Sequence, residues 1–290
     1  MALDPDGNVR WTRGDPEAPV FARSCNKPIQ ATSMVRSGLA LRGRLLALVA
    51  ASHSGEPFQL EAVREILAGA DLSESALQTP PDFPVETSVR DAYIAAGGVA
   101  SPVAMNCSGK HAGMLATCVA NGWPTESYRD PGHPLQRRIA EDFAEATGLA
   151  VTAVGVDGCG APLFGTTLVG LARAFRRIQQ SADGTPERAV ADAIGGFPEY
   201  VSGTDRDEAK LLRAYPTAVA KGGAEACYAV GMPDGSAVAL KIGDGGARAR
   251  PVVMAAVLRR LGWDEPVLDE VGAVAVLGGG KPVGEVRAVL

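Results

Sequence analysis

The chain has 290 residues, 46% apolar and 21% charged, with a formal net charge of −5, an ordinary balance for one large globular domain or two closely packed ones. It carries no basic run, which excludes nucleic acid as the expected partner, and no stretch of about 18 apolar residues, which excludes a membrane-spanning helix. The N-terminal residues do not read as a secretory signal, and five widely spaced cysteines do not read as a disulfide framework, so a reducing, cytoplasmic setting is expected.

Asp4-Pro5-Asp6-Gly7 is a turn signal and predicts a hairpin at the chain start. Residues 24–39 read as a helix, and 45–50 form an apolar run that enters a polar Ser-His-Ser-Gly turn. Glu56-Pro57 opens a helix over 57–68. Residues 79–85 read as a loop. A small-residue helix over 109–119 is stopped by Asn121-Gly122. Amphipathic helices follow at 135–146 and 166–178, and a shorter, charge-rich one at 205–214. Residues 226–232 and 236–242 flank Pro233-Asp234-Gly235, a hairpin pattern. A helix over 251–261 and a strand over 283–290 end the chain. Strands at both ends with helices between them predict an α+β fold. In one single catalytic domain, an antiparallel sheet is expected from about 1–23 and 215–290, with a helical lobe at about 57–214.

The chemistry begins at Ser24-Cys25-Asn26-Lys27-Pro28. A serine attacks a carbonyl only when a base removes its proton, and a lysine three residues on shares its face of a helix. Pro28 fixes the helix start here, where the partial positive charge of a helix N-terminus favours an oxyanion. S-x-x-K by itself is common, and a capping serine with a solvated lysine is the plainer reading. Lys221-Gly222-Gly223 adds a second lysine at a strand edge, similar to the K-T-G element of S-x-x-K acyl-transfer enzymes, though Gly222 lacks the hydroxyl. Two neighbouring ammonium groups lower each other's proton affinity, which a lysine base requires.

Ser52 in Ala51-Ser52-His53-Ser54-Gly55-Glu56 is a candidate proton relay. The plainer reading is that Ser52 or Ser54 caps the helix from Pro57. A Ser24–His53 pair is the weaker alternative, because no carboxylate is assigned to orient the imidazole. Two Gly-rich polar segments hold Cys107, Ser108, Lys110 and His111, and Asp157, Cys159 and Gly160. The first does not satisfy the P-loop pattern. Their cysteine spacing fits no standard zinc motif, so the residues alone favour buried free thiols over a metal.

Taken together, Arg23-Ser24-x-x-Lys27-Pro28-x-Gln30, Ala51-Ser52-His53-Ser54-Gly55-Glu56, Asn106-Cys107-Ser108-Gly109-Lys110-His111-x-Gly113-Met114-Leu115 and Asp157-Gly158-Cys159 resemble the signature of class 3 (rhizobial-type) L-asparaginases. The resemblance implies a serine β-lactamase/glutaminase-like fold, a homodimer, and hydrolysis of L-asparagine to aspartate and ammonia. It implies Ser24 with Lys27 as one catalytic pair and Ser52 with Lys221 as a second. It implies Arg23, His111 and Asp157 at the substrate and a zinc ion held by Cys107, Lys110 and Cys159. Family members usually carry another strand's length ahead of Met1-Ala2-Leu3, which leaves two readings open: a naturally short start, or a missing N-terminal strand. A glutaminase or other small-amide hydrolase differs by about 1–3 kcal/mol per methylene in a pocket. A penicillin-binding role lacks a clear S-D-N element, and a non-catalytic amino-acid or zinc-binding protein would release no ammonia.

Overall fold

The computed structural model describes residues 1–290. The chain opens with a hairpin of β1 (Ala2–Leu3) and β2 (Val9–Trp11). Gly7, with φ 90, closes its turn on the Asp4 carbonyl, as a residue free to adopt positive φ can. Late in the chain β6 (Val219–Gly223), β7 (Cys227–Gly231) and β8 (Ala237–Lys241) form an antiparallel meander. Pro233-Asp234-Gly235 makes the β7–β8 turn that the sequence predicts, with Gly235 at φ 91. β1 pairs with β8, giving the sheet order β2-β1-β8-β7-β6. Both chain ends thus contribute to one antiparallel sheet, and the fold is α+β.

The expected membership of that sheet differs at two places. β3 (Val20–Phe21) leaves it and joins β4 (Val154–Val156) and β5 (Pro162–Thr166) in a separate sheet ordered β3-β5-β4. The C-terminal strand β10 (Lys281–Glu285) pairs with β9 (Ala275–Gly278) in an exposed hairpin of its own. Gly279 and Gly280, at φ 57 and 78, make a tight turn that matches strand twist, so pairing stays local.

The helices are α1 (Lys27–Arg36), α2 (Gly43–Val49), α3 (Pro57–Ala68), α4 (Thr87–Ala95), α5 (Ser108–Asn121), α6 (Pro134–Thr147), α7 (Leu168–Gln179), α8 (Pro186–Gly196), α9 (Pro198–Val201), α10 (Asp207–Ala214), α11 (Ala249–Leu261) and α12 (Val267–Gly272). The apolar run at 45–50 lies mostly in helix α2, where Leu46 to Val49 are all buried. α5 and α6 end on Gly122 and Gly148 in the left-handed region, as their stop signals predict. α4 buries no residue, so no apolar stripe marks it in the sequence. β7 is buried throughout, with α7 and α11 both packed against β7 and β8.

One close crossing positions the site. α5 lies against α2 so tightly that a β-carbon at Gly109 would sit 2.6 Å from the Leu48 carbonyl oxygen. One turn on, a β-carbon at Gly113 would meet both Val49 methyls at 2.7 Å. The C-terminal end of α2 feeds Ala51 and Ser52, and the N-terminal end of α5 carries Cys107 and Lys110, so this contact brings the two segments side by side. Alanine would favour the helix by about 1 kcal/mol, but a backbone carbonyl cannot step aside and overpacking dominates. Gly109→Ala should therefore lower the unfolding free energy in urea by about 1–3 kcal/mol. Gly196→Ala, in α8 with open space around it, should gain up to about 1 kcal/mol; equal effects at both positions would contradict the close-crossing argument.

Candidate active site

Ser24 sits in a one-turn 3-10 helix, Arg23–Asn26, that runs directly into α1 at Lys27. Pro28 lies in the first turn of α1, where its missing N–H costs nothing. The turn packs on the end of β6: a β-carbon at Gly223 would lie 2.8 Å from the Ala22 carbonyl, and the Cys25 thiol donates to the Lys221 carbonyl at 3.0 Å. Ser24 and Lys221 are thereby brought onto neighbouring elements, although they lie far apart in sequence.

Lys27 is buried at 1% exposure. Its amine donates to the Ala51 carbonyl, to Ser52 Oγ at 2.9 Å and to the Cys107 thiol at 3.1 Å. Ser24 is not among these acceptors. The lysine's four-carbon stem carries Nζ past the 3-10 turn to the polar atoms at the ends of α2 and α5. The direct lysine–serine hydrogen bond is therefore Lys27 to Ser52.

Lys221 lies on β6 with no exposure. Its amine donates to the Gly222 carbonyl at 2.7 Å and lies 4.0 Å from Glu208 Oε1. Burial pushes it down to about 8, Glu208 opposes that shift, and the charge of Lys27 adds to it. The two lysines are electrostatic neighbours, with Lys27 on the α2–α5 side and Lys221 on the sheet side.

Neither Ser52 nor Ser54 caps α3. Glu56 is its N-cap residue, and the Gln59 side chain accepts from the backbone N–H of Gly55 and Glu56 at 2.9 and 3.0 Å. His53 does not partner Ser24. It is fully buried, with Nε2 2.8 Å from Ser108 Oγ, and burial followed by the Lys27 charge pushes it down to about 3. A neutral imidazole bonded there is a packing group.

Cys107, Lys110 and Cys159 converge below the lysine. The Cys107 thiol donates to Asn106 Oδ1 at 3.2 Å; interaction between the two sulfurs holds Cys159 well below the usual thiol range and pushes Cys107 up, and the Lys110 charge also favours the Cys159 thiolate. Lys110 Nζ donates to Cys159 Sγ at 3.1 Å. Burial works against the Lys110 charge, but the sulfurs beside it hold the amine above its ordinary value. All five cysteines are free. No group of three or more His, Cys, Asp or Glu side chains is arranged to hold a metal, so a three-ligand site here needs the lysine as its third donor. Two thiols and an amine are donors that suit zinc in chemistry and number. His111 is buried behind Cys159, with Nδ1 2.6 Å from the Tyr128 hydroxyl and Nε2 without a partner. Burial first, against the pull of Cys159, lowers it to about 4.

Arg23 takes φ 51, a left-handed conformation that costs a non-glycine residue about 1–2 kcal/mol. It directs the guanidinium to Asp157, Nε to Oδ1 at 2.8 Å, and to Glu225 Oε1 at 2.6 Å. Glu225 and Ala226, at φ 54 and 52, form the β6–β7 turn, where glycine or asparagine would be easier. Glu225 is the contact that sequence reasoning misses, since a Glu-Ala pair carries no turn signal. Left-handed backbone thus lies on both sides of the Arg23–Glu225 ion pair, next to Ser24. Four cavities of about 290–600 Å³ elsewhere are lined by other residues.

A family model described as L-asparaginase II matches residues 1–288. No individual curated protein matches.

Folded Lys221 titrates near about 8 against 10.5 for an ordinary lysine. Between those values the unfolded chain holds more protons, so this residue makes stability rise with pH, by on the order of 3 kcal/mol across the window. Urea unfolding at pH 8 and pH 10 should show a rise in the wild type that is reduced in Lys221→Gln; parallel curves would mean that burial does not lower the proton affinity of Lys221.

Proposed function

Because the chain belongs to the L-asparaginase II family and is an amidohydrolase, we propose that it cleaves the side-chain amide of L-asparagine through an acyl-enzyme on a serine. The observations that support this reading are the Lys27–Ser52 hydrogen bond, the buried Lys221 on the strand that packs against the Ser24 turn, and the Arg23–Asp157 pair next to that turn. An arginine beside an aspartate offers adjacent opposite charges, the complement of an amino-acid head group. Arg23 would hold the α-carboxylate and Asp157 the α-ammonium, and the one-sided reach of the pair would turn the side-chain amide toward Ser24.

Ser24 is then the nucleophile. Its oxygen bonds to the amide carbon while its proton passes to a neutral lysine amine. The oxyanion develops near the start of α1, where the helix dipole favours it. Collapse breaks the C–N bond, and a proton relayed through Ser52, which already accepts from Lys27, leaves with the nitrogen as ammonia. Water adds to the ester, aspartate departs and the Ser24 hydroxyl is restored. Lys221, with its proton loosely held, is suited to accept and return protons near neutral pH. Buried His111 would steady Cys159 at the edge of the site.

Cys107, Lys110 and Cys159 would hold a zinc ion, which would supply a fixed positive charge beside the pocket while the attack belongs to the serine hydroxyl. A homodimer is part of the same proposal, and the exposed apolar residues of the C-terminal hairpin, Leu277 and Val283, supply uncovered surface for it.

Ser24→Ala should remove nearly all ammonia release from L-asparagine with thermal unfolding unchanged. Retention of more than about a tenth of the activity would exclude Ser24 as nucleophile, since losing the attacking group costs orders of magnitude. Elemental analysis of protein purified without added metal should find zinc near one per chain, and Cys159→Ser should lose most of it. A metal-free wild type, or equal zinc in both, would remove the metal from the proposal.

A further inference from the structure

Behind Lys221 lies a buried cluster of charges. α10 begins with Asp207 and Glu208, and Arg250 reaches in from α11. The Glu208 side chain is 1% exposed. Its Oε1 lies 4.0 Å from Lys221 Nζ and 3.8 Å from Arg250 Nη1, and its Oε2 lies 3.6 Å from Arg206 Nε without a hydrogen-bond partner. A carboxylate removed from water without hydrogen bonds is costly, so its retention needs a reason. Arg250 does not supply one, because Asp207 already pairs with it at 2.8 Å through both oxygens and the Tyr228 ring lies beneath it at 5.0 Å. Arg206 has Glu86 at 3.9 Å as well. Lys221 has no carboxylate within 4 Å other than Glu208.

Gly222 gives a second, independent sign. A β-carbon there would lie 2.3 Å from Glu208 Oε1 and 2.3 Å from Arg250 Nη1. The missing side chain after Lys221 is thus the space that the carboxylate occupies. The departure from a K-T-G pattern has a local cause: the strand gives up a side chain so that a negative charge can lie against it.

We propose that Glu208 is a positioning residue for the reaction, anchoring the Lys221 amine at the end of β6 and supplying the charge against which that amine takes up and releases its proton. The proposal rests on the catalytic reading of Lys221. The groups facing Lys221 are Glu208 and Arg206 from α10 and the residue before it, Lys27 from α1 and Cys25 from the 3-10 turn, with Asp207 and Arg250 behind Glu208. Burial, Lys27 and Arg206 all drive the proton off Lys221, and Glu208 is the main group that retains it. Glu208 itself stays well below the usual carboxylate range, despite burial, because Arg250, Arg206 and Lys221 surround it.

The test uses Glu208→Gln, which keeps the shape and removes the charge. The chain has six lysines, so the Lys221 amine can be titrated by NMR in protein carrying 13C-labelled lysine, with Lys221→Gln assigning the resonance. The expected result is a Lys221 midpoint about one pH unit lower or more, with the Lys221 limb of the kcat/KM profile moving the same way. Ammonia release should lose about tenfold or more in kcat, with KM changed less than about threefold. Glu208→Asp, which keeps the charge, should restore most of the midpoint. Should Glu208→Gln fail to fold, Gly222→Ala displaces the carboxylate without removing it and should shift the midpoint in the same direction. An unmoved midpoint, with kcat falling only in step with thermal stability, would overturn the proposal. Full activity in Lys221→Gln would instead overturn the catalytic reading of Lys221, and with it the role in the reaction, while the NMR titration still decides whether Glu208 sets that amine's proton affinity.

Discussion

A primary amine taken out of water must be given acceptors, and the site is organised around the three given to Lys27. They come from three separate places: the Ala51 carbonyl after α2, the Ser52 hydroxyl beside it, and the Cys107 thiol at the start of α5. Removing any of them would leave a buried donor unsatisfied, a loss of about 1–3 kcal/mol or more for a charged group. The amine therefore acts as a clamp. It fixes the start of α1, and with it the serine turn, against the loop that carries the second serine and the helix that carries the cysteines.

That clamp requires close backbone approach at its base. Gly109 and Gly113 let α5 press on α2, and this places Ala51 and Cys107 near the same amine. On the sheet side Gly222 and Gly223 do the corresponding work, admitting Glu208 with Arg250 at one position and the 3-10 turn with Cys25 at the other. Four glycines thus bring charged or polar groups to within bonding range of two lysines. Beside the Ser24 turn lies the Arg23–Asp157–Glu225 cluster, held by strained backbone at Arg23 and in the β6–β7 turn. Strain and buried charge occur together where the reacting groups are expected, and both are sustained by the 66-residue apolar core around them.

Much of this was legible in the linear sequence, element by element. Turn residues give the first hairpin and the β7–β8 hairpin, the helix stops fall at Gly122 and Gly148, and Ser24, Ser52, Lys27 and Lys221 stand out as candidates with Cys107, Lys110 and Cys159. The charges of α10 do not all face water: Glu208 is buried, and Lys210 pairs with Glu270 on α12 at 2.8 Å. Periodicity reports which residues share a face, not what covers that face. Glu225 carried no signal at all, because its importance lies in a contact with Arg23 across 202 residues.

The sequence by itself determined the α+β class, the chain segments that form the sheet's core strands, and the chemical kinds gathered for a small-amide hydrolase, because turn chemistry, caps and motif spacing are local. Only the tertiary structure decided how those groups pair. Lys27 meets Ser52, Lys221 meets Glu208, His53 is spent on Ser108, and the last strand stays in its own hairpin. The reason is physical: the position of a buried amine is set by whichever polar atoms the packing leaves unsatisfied beside it, and those come from helices and strands that meet only when the chain is folded.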